Sequence, residues 1–128
     1  MGRIIVIFMC AFSLTAIAQE LSPEAYVKAD LEARSITLAG MEARLTMMQQ
    51  SVNTVVQYRQ ADENRQNVEA VFASYGFTGA SHAAYGTRNG EAIAAWLEGN
   101  PDLQKQYNDL AVRFDALSSQ FDSLSNGR

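Results

Sequence analysis

His82 carries the only imidazole in this chain of 128 residues. It stands in the stretch GFTGASHAAYGTRNG, residues 76–90, together with four of the eight glycines. Such a stretch could do several kinds of chemistry. A phosphate cradle needs backbone N–H groups at a glycine-rich turn that follows a strand, usually with a lysine as in G-x-x-x-x-G-K-[ST]. Gly86-Thr87-Arg88-Asn89-Gly90 has no such lysine, and nothing before it reads as a strand. Nucleophilic catalysis would set a serine on a strained turn beside His82, and no G-x-S-x-G occurs. Thioethers of Met41, Met47 and Met48 could join His82 around copper(I). Met41 and Met48, however, sit on an apolar helical stripe, where methionine serves as adaptable filler. Zinc is poorly served by one histidine and a single cysteine. The fourteen acids offer many carboxylate pairs, but none lies in a recognisable pocket motif. The expectation is therefore no catalytic residue, no metal and no cofactor, with His82 partly buried one helical turn from Tyr85.

Helices must position these residues, because alternating strand patterns are absent and Ala, Leu, Gln, Glu and Arg are plentiful. Ser22-Pro23-Glu24 reads as an N-cap, a proline in the first turn and an acid near the positive end of the dipole. The first helix is expected over about 23–57. Val27, Leu31, Leu38, Met41, Leu45, Met48, Val52 and Val55 form one stripe at spacings of three and four, with Arg34 out of place. On the opposite side Ala29, Ala33, Ile36, Gly40, Ala43 and Met47 form a second stripe of mostly small residues. A helix apolar on two sides is sandwiched. Its second face awaits either the rest of the chain or a partner.

The stripe slips out of phase near residues 57–63, and Val68, Phe72 and Tyr75 begin a new one. That predicts a second helix over about 62–75, with Asp62 at its start. Gly76 then sits where a Schellman ending places its glycine, with Phe72 and Phe77 as the accompanying apolar pair. Thr78 follows as the next cap. On a helical wheel Gly79, Ala83, Gly86, Gly90, Ala94 and Leu97 share one stripe, and His82, Tyr85, Asn89, Ile93 and Trp96 share its neighbour. A continuous third helix over about 80–98 follows, its interior glycines each costing about 1 kcal/mol against alanine and allowing close helix approach; the competing arrangement breaks it at 86–90. Asn100-Pro101-Asp102 starts the last helix, about 101–125. There Leu103, Tyr107, Leu110, Phe114, Leu117, Phe121 and Leu124 alternate spacings of four and three in a coiled-coil-like seam. The fold class is all-α: a small antiparallel bundle with long first and last helices.

Arg3 and the apolar run Ile4–Leu14 match the n- and h-regions of a secretory signal. The run is too short to span a bilayer. Ala16 and Ala18 supply the small residues at −3 and −1, so cleavage is expected between Ala18 and Gln19. Residues 1–18 would be the signal peptide and 19–128 a single helical domain. Cys10 would leave with the signal, and the mature domain would have neither thiol nor disulfide. It would carry nine basic and fourteen acidic residues, ten basic less Arg3. An acidic chain without a basic cluster is a poor match for nucleic acid or for anionic lipid.

These features together predict an exported protein, periplasmic in a Gram-negative bacterium and otherwise secreted, with no stable membrane anchor after cleavage. It would act without catalysis, through helix-mediated association with itself or another envelope or secreted protein, as an adaptor, chaperone or inhibitor. The expected partner-binding surface is Ala29, Ala33, Ile36, Gly40, Ala43 and Met47. The alternative is a carrier holding a small apolar ligand or metal between helices, with His82, Tyr85 and Trp96 lining the site.

Overall fold

The computed structural model describes residues 21–127; the expected signal peptide and Cys10 lie outside them. Five helices make up the described chain: α1 (Pro23–Gln49), α2 (Thr54–Ser74), α3 (Gly79–Arg88), α4 (Gly90–Glu98) and α5 (Pro101–Asn126). No strand occurs among these residues. The all-α class expected from the spacings holds, with five helices in place of about four.

α1 starts where Ser22-Pro23-Glu24 predicts. The Ser22 side chain accepts from Ala25 N–H at 3.1 Å, and the proline occupies a position whose N–H has no helical partner. It stops at Gln49 rather than near residue 57. Ser51 adopts φ 55°, a left-handed conformation that turns the chain without a glycine. The carbonyls of Thr46 and Met47, left open at the helix end, accept from Gln50 and Val52 N–H. Asn53 then caps α2, its side chain accepting from Val55 N–H at 2.8 Å. The expected break at 57–63 is thus displaced to 50–53, and Asp62 lies inside α2 rather than at its start. Val55 continues the spacing of the α1 stripe in sequence but not in space, being 64 % exposed.

α2 ends in the predicted Schellman geometry. Gly76 has φ 83°, Phe77 N–H reaches the Phe72 carbonyl at 2.8 Å, and Gly76 N–H reaches that of Ala73 at 3.1 Å. Thr78 and Ser81 form a reciprocal capping box that opens α3. The continuous helix expected over 80–98 is interrupted at Asn89. Both the backbone N–H and the side-chain amide of Asn89 donate to the Tyr85 carbonyl. Its backbone (φ −119°, ψ 24°) leaves the helical region, so α4 begins afresh at Gly90. An asparagine whose side-chain amide adds a second bond to the carbonyl its own N–H already reaches makes the break without an open loop.

α1 is the centre of the molecule. α2 runs antiparallel along one side: Tyr75 at the end of α2 reaches Glu32, whereas Asn64 and Gln60 lie beside Gly40 and Arg44. α5 runs parallel to α1, contrary to the antiparallel arrangement expected. Leu31 and Leu103 line one recess, Leu45 and Leu117 another, at the same residue offset in each. The two short helices account for this direction. α2 has already returned the chain to the amino-terminal end of α1, and α3 and α4 keep it there, crossing the face of α1 so that α5 starts at that same end. Among the described residues α2 and α5 do not touch. The three long helices therefore form a layer with α1 in the middle, and α3 and α4 rest on one face of its amino-terminal half. The core follows the α1–α5 seam through Val27, Leu31, Leu38, Leu45, Ile93, Leu110 and Leu117. Leu38 and Val27 are sealed from solvent, each worth about 1.5–3 kcal/mol in apolar burial.

Candidate functional site

The groups with chemical potential gather where α3 and α4 meet α1. His82, on the first full turn of α3, is 5 % exposed. Tyr26 stacks on one face of its imidazole at 4.2 Å and 9°, and Phe72 lies against it at 4.4 Å and 27°. Phe77 meets it edge-on at 5.3 Å. Nε2 lies 3.3 Å from the Tyr26 carbonyl oxygen. A carbonyl only accepts, so Nε2 carries the proton of this bond. His82 is more deeply enclosed than its sequence setting implies, and the rings on its faces leave no room for a ligand beside them. Tyr85 joins the cluster through Tyr26 at 5.7 Å and Phe77 at 5.8 Å. Trp96 does not stack with these rings; it packs, partly buried, against the α1–α5 core. Tyr26 and Tyr85 border the same core, so of the three residues expected to line a ligand site Tyr85 and Trp96 both pack on it, and His82 stands in the aromatic cluster beside it.

Gly86 makes this cluster possible. A Cβ there would stand 2.5 Å from Tyr26 Oη and 2.9 Å from Cζ. Only the bare backbone of α3 lets the Tyr26 ring lie between His82 and Tyr85. At Gly90 a Cβ would meet nothing within 4 Å, so the expected close approach is used at one interior glycine and not at the other.

The polar node beside the cluster explains the residue that broke the α1 stripe. Arg34 Nε donates to Asp30 Oδ2 at 2.9 Å, and Tyr107 Oη donates to the same oxygen at 2.8 Å. The Arg34 guanidinium also sits 5.6 Å from the centre of the Tyr107 ring. Arg34 therefore belongs at the seam, because Asp30 and Tyr107 give it a charge and a π-face. Burial, and then the negative charge of Asp30, hold the Tyr107 phenol well above its ordinary pKa. Tyr26 is raised by the same two causes, to a smaller extent. The node joins α1 to α5, yet in the sequence Arg34 is only a residue out of place in its stripe and Tyr107 only a seam aromatic. Only the parallel approach of α5 brings them together.

No protein-family model, curated protein or solved structure matches this chain. Its chemistry has to be read from its own geometry. Among the described residues no group of three His, Cys, Asp or Glu side chains is placed to hold a metal ion. No helix among them is long and apolar enough to cross a membrane. Every buried polar side-chain atom among them has a hydrogen-bonding partner.

The expected partner-binding stripe needs correction. Ala29, Ala33 and Gly40 are buried, and Ile36, Ala43 and Met47 are partly buried. α2 lies along that face, with the Asn64 side chain 2.6 Å from where a Gly40 Cβ would stand. The second apolar side of α1 is covered within the chain, because α2 is 21 residues long rather than the short helix expected. Lys28, Ser35, Ala39 and Thr46 form one exposed, mostly polar face of α1, and a partly apolar one lies opposite. Tyr26, Asp30, Thr37, Met41, Arg44 and Met48 share the face between α2 and α5. α3 and α4 cover its amino-terminal part, and beyond them Met41 and Met48 remain partly exposed.

Proposed function

We propose that this is an exported, non-catalytic protein that works by helix-mediated association with another protein chain. One observation carries the reading. The face of α1 between α2 and α5 is covered at one end by α3 and α4 and only partly covered at the other, where Met41 and Met48 of α1, and Phe114 and Phe121 of α5, are half-buried. A flat three-helix layer cannot enclose that face, and an apolar surface rimmed by charge is suited to recognition. Two further facts support it. The imidazole has aromatic rings on both faces and Nε2 on the Tyr26 carbonyl, and Arg34 and Tyr107 share one Asp30 oxygen. Both serve packing rather than turnover.

Native mass spectrometry of the protein isolated from its own compartment tests this directly. The expected result is the chain in complex with protein and without a small-molecule mass. A recurrent small-molecule excess on an otherwise free chain would overturn it in favour of a carrier.

A further inference from the structure

We infer that the occupant of the open α1 face is a second copy of this chain, docked by the outer ridge of its α4 about a two-fold axis. The inference rests on the association reading above and specifies its partner. Shape provides the first argument. The molecule is stepped: one face of the α2–α1–α5 layer carries α3 and α4 over the amino-terminal half of α1 and nothing over the rest. Two such faces turned head to tail bring the raised end of each copy over the bare half of the other. A helix diameter of roughly 10 Å fills a step one helix deep. The contact is isologous, so it closes at two copies instead of growing into a filament.

Chemistry provides the second argument. With Ile93 buried beneath α4, its opposite ridge is Glu91, Ala95 and Glu98, all three exposed. The floor of the open face is Met41 and Met48, with the exposed Arg44 between them in sequence. Arg44 makes no ion pair among the described residues, and neither does Glu91 or Glu98. Ala95 on the ridge admits the flexible thioethers, while the two carboxylates flank it one helical turn away on either side. Each copy thus offers a cation between two methionines and a small residue between two acids. Opposite charges set at these places fix register and orientation, whereas the methionines supply the apolar contact.

Light scattering after gel filtration of the purified chain, over a wide concentration range, tests the inference. The expected mass is that of two chains, falling to one on dilution. Arg44→Glu, an exposed substitution that leaves the core untouched, raises the dissociation constant about tenfold or more through like-charge repulsion. Adding Glu91→Arg and Glu98→Arg to it restores the dimer. That rescue is the readout a merely structural role for Arg44 would not give, and circular dichroism confirms that helicity is unchanged. A chain of single mass at every concentration overturns the inference and leaves the open face to a foreign chain, with the association reading intact. A dimer indifferent to Arg44→Glu, or one not rescued by the reversed charges, overturns it as well.

Discussion

Tyr107 shows how one side chain can belong to two chemistries. Its ring is a seam residue of α5, and its hydroxyl donates to a carboxylate on α1. Losing that hydroxyl in Tyr107→Phe costs about 1 kcal/mol near neutral pH. The alkaline limb is more diagnostic. In the unfolded chain a tyrosine gives up its proton near pH ~10. In the folded protein burial and Asp30 keep the proton on, so the folded pKa lies above the unfolded one. Above pH ~10 the unfolded state then binds fewer protons than the folded state, and stability falls as pH rises. The contribution is fully present below that pH. Urea midpoints measured from neutral to strongly alkaline pH are expected to fall steeply for the wild type and less steeply for Tyr107→Phe. Some slope remains because Tyr26 is raised too. Parallel limbs would show that Tyr107 is not the group responsible.

At the scale of elements, helix-to-helix distance decides which glycines matter. α3 lies on the Tyr26 ring through Gly86, and the ring cannot yield because it is stacked on His82. Gly86→Ala is expected to cost about 1–3 kcal/mol as overpacking. Gly90→Ala, with open space around it, is expected to stabilise by about 0.5–1 kcal/mol through the unfolded-state entropy of glycine. Thermal or urea denaturation of the two variants side by side checks the pair. Equal effects would mean that α3 does not press on the Tyr26 ring at Gly86.

The same scale shows what sequence periodicity can and cannot locate. The end of α2 and the starts of α3 and α5 are legible because Gly76, Thr78 and Pro101 act through their own backbones and caps. The ends of α1 and α3 are not. Ser51 turns the chain by adopting a left-handed backbone that non-glycine residues avoid by default, and Asn89 by bonding twice to Tyr85. Neither residue type announces this, and the apolar spacing runs on through both. Val52 and Val55 prolong the α1 stripe on paper, whereas Val55 is exposed on α2.

At the scale of the whole molecule, the proposed export and the fold are compatible. A domain with no thiol has to hold itself by packing, and the α1–α5 seam with its sealed Leu38 does so. The expected processing gives a mature chain beginning at Gln19, which amino-terminal sequencing of the exported protein would read directly. A chain that retains residues 1–18 would remove the ground for placing it outside the cytoplasm. Of the candidate site residues, His82 and Tyr85 share one helical neighbourhood, as their spacing predicts. The small-residue stripe is covered by α2 of the same chain, and such a stripe reads identically whether a partner or the chain itself covers it.

The sequence by itself determined that the chain is helical, where two of the long helices begin and how α2 ends. Those are consequences of side-chain spacing and of local backbone bonds, which extend over four or five residues. Tertiary structure alone decided that α5 runs parallel to α1, that Arg34 meets Asp30 and the Tyr107 ring, and how far α3 and α4 cover the Met41–Met48 face of α1. Direction and coverage depend on α2 returning the chain to the amino-terminal end of α1 and on α3 and α4 crossing it there. Such distances arise between helices, and no residue's own neighbours in sequence encode them.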